Sequence, residues 1–377
     1  MLKRRLAIRL KSTENFLVRL LVILSHWKSI GGLTIYGHLL MPLLGVIGLF
    51  RGRITPILLL PFIAIFINAM GFLLRHELNA ESLARLVQLT GCVGFCHFIA
   101  QDKSILSQRW EYVLLFLITA TALLGELFVV GPDQFRNVLG RSVPRLSGTQ
   151  EGVNFLAATV GFLSLLCVAR RYYILAFLFV LCGVPTLSRG GLLAFLFALP
   201  FVIAPQIRWN IKHLNPSLVR KTFTYATVSV LLLYPVALLA MDLNHSLVER
   251  IDDLSTHRFN FHIAYAKIGS AHPLAGVGYF QGVESVEFVV DDSLAFRKFN
   301  EAHSIYLQVW SEFGIVSYLL FSCMITYSCR RSLATRSKDL GCLIFALISF
   351  MFLNGLSAWA FWLAIGIAIR GPEHNDT

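Results

Sequence analysis

Eleven mainly apolar stretches of roughly 15 to 30 residues succeed one another along this chain. They lie near 13 to 27, 30 to 50, 54 to 74, 84 to 100, 110 to 130, 153 to 169, 172 to 187, 190 to 205, 223 to 242, 304 to 329 and 340 to 369. A helix needs about 20 such residues to cross a bilayer, whereas a helix packed on a soluble core keeps one polar face. Strands of an outer-membrane barrel alternate every second residue, which these stretches do not. Of the 377 residues, 56% are hydrophobic and 14% charged, against about 45–50% and 25% in soluble domains. The expected fold is therefore an all-α polytopic membrane protein with 11–12 transmembrane helices, a single integral membrane domain over residues 1–377. The final run contains Asn354, Gly355 and Ser357 and reads as one kinked span or two short ones. The basic N-terminus (Lys3, Arg4, Arg5, Arg9, Lys11) precedes apolar residues with no small-residue cleavage site, which predicts an uncleaved signal anchor.

The net charge of +12 is read from its distribution. With the N-terminus in the cytoplasm and 13 to 27 counted as a span, the inner segments hold 19 Lys and Arg and the outer segments 11 over a greater length. That is the positive-inside pattern of a membrane protein, so nucleic acid is not an expected partner. The longest outer segment, 243 to 302, carries five basic and eight acidic residues and is the one loop long enough for structure of its own. Within it a helix is predicted over about 258 to 270, capped by Ser255 or Thr256 and stopped by Pro273. A second, shorter and basic outer loop covers 131 to 152. The seven cysteines all lie in apolar runs without metal spacing and read as small core residues. The acidic pairs Asp252–Asp253 and Asp291–Asp292 read as solvated loop, and no metal site is expected.

Four short stretches at the outer boundary carry candidate chemistry. Thr186-Leu187-Ser188-Arg189-Gly190-Gly191 places a guanidinium at the membrane edge, either as an interfacial anchor or as a bidentate phosphate ligand. Arg258 and the turn His272-Pro273-Leu274-Ala275-Gly276-Val277-Gly278 lie in the large loop. His303 opens the segment His303-Ser304-Ile305-Tyr306-Leu307, followed by Glu312 and Gly314, and its imidazole can take a proton near neutral pH. Glu312 is nine residues on, about 13 Å along a helix, too far to orient His303 directly. An intramembrane carboxylate marks the bundle interior. The fourth stretch is Arg145-Leu146-Ser147-Gly148-Thr149 with Asn154-Phe155-Leu156-Ala157 beyond it.

In order and in common placement these four stretches resemble the O-antigen ligase and polymerase superfamily. That family shows RxSGT…NxxA, a later SRG, a large periplasmic loop with an arginine and HPLxGxG, and then HNxYLxxxxExG. The correspondence runs over roughly residues 145 to 316, with Ser304 in place of the family's Asn and Gln150-Glu151-Gly152-Val153 in place of Gly-Asn-Pro. The resemblance implies a helical GT-C-like glycosyltransferase of the bacterial inner membrane, multi-pass, without metal or other cofactor, with its active site facing the periplasm. It would take a glycan from undecaprenyl diphosphate and pass it to a sugar hydroxyl on lipid A core. A polysaccharide polymerase joining lipid-linked repeat units to a growing chain is the alternative within the family.

In such an enzyme His303 would be the catalytic base. Arg189, Arg258 and Arg145 would stabilise the leaving diphosphate, and Ser188, Glu312 and Tyr306 would support the site. Phe259, Phe261, Tyr265, Tyr279, Phe280, Tyr306 and Trp310 are candidates either for stacking on sugars or for interfacial anchoring. A transporter or flippase for the same lipid is the competing class. It would place ionisable residues along a midplane path and show inverted repeats, whereas the candidates here gather at the outer interface.

Overall fold

The computed structural model describes residues 16–26, 29–30, 33–34, 40–51, 55–75, 80–128, 135–138, 141–144, 146, 150, 153–186, 188–203, 216–242, 258–279, 281–282, 285, 302–335, 338–353, 356 and 358–370. Apolar runs become helices because lipid offers the backbone no hydrogen-bond partner, so each N–H must be satisfied within its own segment. The helices before the large loop are α1 (16–24), α2 (Leu40–Arg51), α3 (Pro56–Arg75), α4 (Ala80–Gln101), α5 (Arg109–Leu127), α6 (Val153–Ala169), α7 (Tyr173–Gly183), α8 (Arg189–Ile203) and α9 (Pro216–Asp242). After the loop helix α10 (Arg258–Ala271) come α11 (Ile305–Ala334), α12 (Asp339–Ser349) and α13 (Trp359–Arg370). Five of these, in α3, α4, α5, α9 and α11, are long and apolar enough to cross a membrane by themselves. The final apolar run is thus two short helices, Asp339–Ser349 and Trp359–Arg370; Asn354, Gly355 and Ser357 lie outside the described residues.

The helices pack around a shared core that includes Phe98, Phe162, Phe345, Phe361 and Trp362. Six of the seven cysteines are buried in it and Cys323 is exposed. Large apolar side chains also point outward, among them Ile174, Phe177, Leu193, Phe197, Leu233 and Val236. In water such faces would aggregate; in a bilayer they are the lipid contact. Helices α2 and α4 approach backbone to backbone, since a Cβ on Gly91 would overlap Pro42 and one on Gly94 would overlap Gly45.

Two faces of the bundle follow from contacts between helix ends. On one, Arg170 after α6 pairs with Asp339 at the start of α12 at 3.3 Å, and Arg19 of α1 lies 3.8 Å from Glu111 at the start of α5. Arg370 at the end of α13 donates to the Ile105 carbonyl at 2.8 Å. On the other face Trp359 of α13 donates to Ser25 Oγ at 3.0 Å, Gln150 donates to the His26 carbonyl at 2.8 Å, and the 272–278 turn meets α11. The second face, here called the loop face, carries the candidate site.

The predicted loop helix over 258 to 270 is present as α10, and it stops two residues before Pro273. Its proposed caps Ser255 and Thr256 lie outside the described residues. The 131–152 loop, read as lacking structure of its own, contains an antiparallel hairpin pairing Phe135–Val138 with Arg141–Pro144. A shorter hairpin pairs Ser29–Ile30 with Leu33–Thr34.

The Arg170–Asp339 pair is nearly inaccessible, with side chains 7% and 2% exposed. Removing one partner leaves the other charge buried, which typically costs about 3–5 kcal/mol. Asp339→Ala is therefore expected to lower the melting temperature in detergent clearly, and the double change Arg170→Met with Asp339→Leu to recover most of it. An unchanged melt for Asp339→Ala would mean that the pair is solvated.

Candidate active site

The site is built at the loop-face ends of α6, α8 and α11, with α10 lying over α11. Helix α11 begins at Ile305, with Ser304 extended at its N-cap (φ −154°, ψ 121°). The Ile305 amide donates to the Phe350 carbonyl at the end of α12 at 3.0 Å, so one orphan donor of the helix start is met by a neighbouring helix. His303 precedes the cap with φ +48°, a left-handed conformation rare for a residue with a Cβ. Such a conformation costs on the order of 1–3 kcal/mol and persists where the surroundings hold it. Here Phe261 of α10 meets the His303 ring edge-on at 6.1 Å, and His262 Nε2 lies 3.4 Å from the His303 carbonyl. The His303 side chain is partly exposed at this face.

Farther down α11 two of the sequence motifs prove to be one structural unit. Gly314 has φ 79° and ψ 178°, which breaks the helical ladder. In an unbroken helix the Ile315 amide would bond the Ser311 carbonyl. Instead Ile315 donates to the Pro273 carbonyl at 2.6 Å, and Val277 donates to the Ser311 carbonyl at 2.9 Å. Gly278 donates to the Glu312 carbonyl at 3.0 Å, and Asn68 of α3 adds its side-chain amide to the same oxygen at 2.8 Å. The 272–278 turn and the break in α11 thus exchange backbone partners, and the Ile315 amide, which loses its helical acceptor, stays paired.

The glycines explain why the exchange is sterically possible. A Cβ on Gly276 (φ +68°) would overlap the Glu312 backbone, and one on Gly314 would overlap the Leu274 carbonyl. The Glu312 carboxylate is 2% exposed and accepts from Gln308 Nε2 at 3.1 Å, so its surroundings are those of a buried structural group.

Arg189 is the first residue of α8 and is exposed. Ser188 precedes it as a helix cap, its Oγ accepting from the Gly191 amide at 3.3 Å. A Cβ on Gly191 would come within 3.0 Å of the Ala157 Cβ, so the first turn of α8 packs closely against α6. The Leu146 amide donates to the Pro185 carbonyl at 3.2 Å, which ties the 145–158 stretch to the chain leading into α8. Phe155, two residues before Ala157 on α6, meets Phe350 at 6.5 Å, and Phe350 is the residue that receives the Ile305 amide. The first turns of α6 therefore link the start of α8, with Ser188 and Arg189, to the start of α11, with His303.

Arg258 opens α10, one turn before His262; its side chain, like all of Arg145, lies outside the described residues. Tyr306 is buried, and its hydroxyl donates to the Leu347 carbonyl at 2.9 Å, tying α11 to α12. Phe261, Tyr265, Tyr279 and Tyr306 are all buried, so the stacking role weighed for them gives way to packing. Phe259 and Trp310 are partly exposed. His262, Tyr234 and Asn68 were not singled out from sequence. The one available signal was the i, i+4 spacing of Arg258 and His262 on a predicted helix. Among the described residues, no three His, Cys, Asp or Glu side chains group as a metal site would need.

A family model described as O-antigen ligase matches residues 174–322, from α7 into α11. The matched segment holds Arg189, Arg258, His303, the 272–278 turn and Gly314, and leaves out the 145–158 stretch. The comparison with curated proteins gives no match. Over residues 174–322 this multi-pass helical membrane protein is therefore similar to the O-antigen ligase family.

Proposed function

We propose that the protein is a ligase-type glycosyltransferase of the bacterial inner membrane that moves a glycan from undecaprenyl diphosphate to a sugar hydroxyl of lipid A core at the periplasmic face. The observation that carries this reading is the linkage, through α6, of the Arg189 and His303 helix starts at one face. The excess of Lys and Arg in the segments of the opposite face supports assigning the loop face to the periplasm. The large loop, 243–302, is then periplasmic.

In the reaction the acceptor hydroxyl oxygen attacks the anomeric carbon while the bond from that carbon to the phosphate oxygen breaks. His303 takes the hydroxyl proton as the new bond forms. The bonding electrons leave with the lipid diphosphate, whose growing charge needs preorganised cations. Arg189 is assigned this role: it is the first residue of α8, and at a helix N-terminus backbone amides and dipole also favour an anion. Arg258 and Arg145 are assigned to the same diphosphate, and Ser188 holds the first turn of α8 that presents Arg189.

The test is incubation of the purified protein with lipid-linked repeat and lipid A core. Glycan-capped core is the expected product. A ladder of lengthened lipid-linked glycan without capped core would overturn the ligase reading in favour of a polymerase.

Arg189 also gives a graded prediction. Lysine keeps the charge but loses the planar fork that binds two phosphate oxygens at once. Arg189→Lys is expected to lower kcat/KM for the lipid donor by about tenfold to a hundredfold, equivalent to about 1.4–2.8 kcal/mol of transition-state stabilisation. A wild-type value would show that charge alone suffices.

A further inference from the structure

We infer that His262 and Tyr234 act as a positioning pair that holds His303 in its left-handed conformation and so aims the imidazole at the acceptor. The inference rests on the reading of His303 as the base. His262 Nε2 lies 3.4 Å from the His303 carbonyl, which can only accept, so Nε2 carries the proton. In a neutral ring Nδ1 is then an acceptor, and the Tyr234 hydroxyl donates to it at 3.0 Å. Phe352 stacks on the His262 ring at 6.5 Å and 29°.

The His262 side chain is 4% exposed and both ring nitrogens are engaged within the protein. That geometry suits orientation of a neighbour and leaves no face for exchanging a proton with substrate.

The pair joins three elements at one residue. Tyr234 comes from α9, His262 from α10, and His303 stands at the start of α11. Phe261 holds the His303 ring while its sequence neighbour His262 holds the His303 carbonyl. With the carbonyl released, the φ of +48° has less to maintain it, and the backbone can relax toward the extended region that residues with a Cβ prefer. That rotation swings the imidazole away from its line of attack. A displacement of about 1 Å in a catalytic group is enough to cost up to about a hundredfold in rate.

The experiment measures kcat and KM of the full-length protein, reconstituted with undecaprenyl-diphosphate-linked glycan and lipid A core. His262→Ala is expected to lower kcat by about tenfold to a hundredfold with the donor KM little changed. His262→Gln carries an amide N–H that can reach the same carbonyl and is expected to recover most of kcat. Tyr234→Phe, which frees the tautomer without emptying the site, should give a smaller loss in kcat alone. A wild-type kcat for His262→Ala, or a His262→Gln enzyme no better than His262→Ala, would overturn the inference. Should His262→Ala fail to accumulate, the Gln and Tyr234→Phe variants decide it by the same criteria. Full activity of His303→Ala would instead remove the parent reading, whereas an inactive His303→Ala beside a fully active His262→Ala would remove the positioning role alone.

Discussion

Substituting His303 by asparagine or alanine is expected to lower glycan transfer by about a hundredfold to ten-thousandfold, the usual contribution of a positioned general base. Two variants are needed because the position has φ +48°. Asparagine tolerates left-handed backbone better than other residues with a Cβ, so it preserves the loop-to-helix junction while lacking a base. Alanine removes the ring and adds some strain. If transfer depends on the imidazole, both variants lose activity alike, with donor binding and membrane level retained. If the position matters only for shape, the asparagine variant stays active. The partly exposed ring predicts a small effect on stability.

The largest effect on stability is expected at Gly314 and Gly276. A Cβ at either would overlap backbone of the opposing segment, which has no side chain to swing aside. Both also have positive φ, +79° and +68°, so any L side chain adds conformational strain to the overlap. Three backbone hydrogen bonds between the turn and α11 would be disturbed together. Gly314→Val or Gly276→Val is expected to cost more than about 4 kcal/mol, a size reached only when packing, strain and buried hydrogen bonds fail at once. The readout is the monodisperse fraction and melting temperature after detergent extraction. Gly190→Ala is the control, since a Cβ there meets nothing within 4 Å. Wild-type melts for the Gly314 and Gly276 variants would mean that the turn does not hold α11.

The features legible in the sequence are those written locally. The mainly apolar run from Pro56 to Arg75 announces a helix because the backbone has no other solution in lipid. Pro273 announces the end of α10 because proline cannot continue a helix. The split of the last apolar run into α12 and α13 was legible as one of two outcomes, from Asn354, Gly355 and Ser357.

What was not legible depends on partners far apart in the chain. His272–Gly278 and Glu312–Gly314 look like a turn and a helix segment, yet they exchange backbone hydrogen bonds, and backbone bonding leaves little trace in side-chain type. Only the glycines record it. The contact of His262 with Tyr234 spans 28 positions and that with His303 spans 41, so no periodicity reports them. The aromatics were ambiguous for a related reason: Tyr265, Tyr279 and Tyr306 suit a sugar platform and a packed core equally well, and burial decides for the core. Glu312 is the same case, its carboxylate held by Gln308 under the turn.

The central claim is that this membrane protein transfers a lipid-linked glycan and does not merely carry it. The most direct measurement follows radiolabelled undecaprenyl-diphosphate-linked glycan in sealed proteoliposomes that hold the purified protein, with lipid A core supplied on the loop-face side. The account predicts that the label moves onto the core with stoichiometric release of undecaprenyl diphosphate, and that His303→Asn stops both. Label that crosses the membrane still attached to its lipid, with no capped core and no change in the His303→Asn protein, would contradict it.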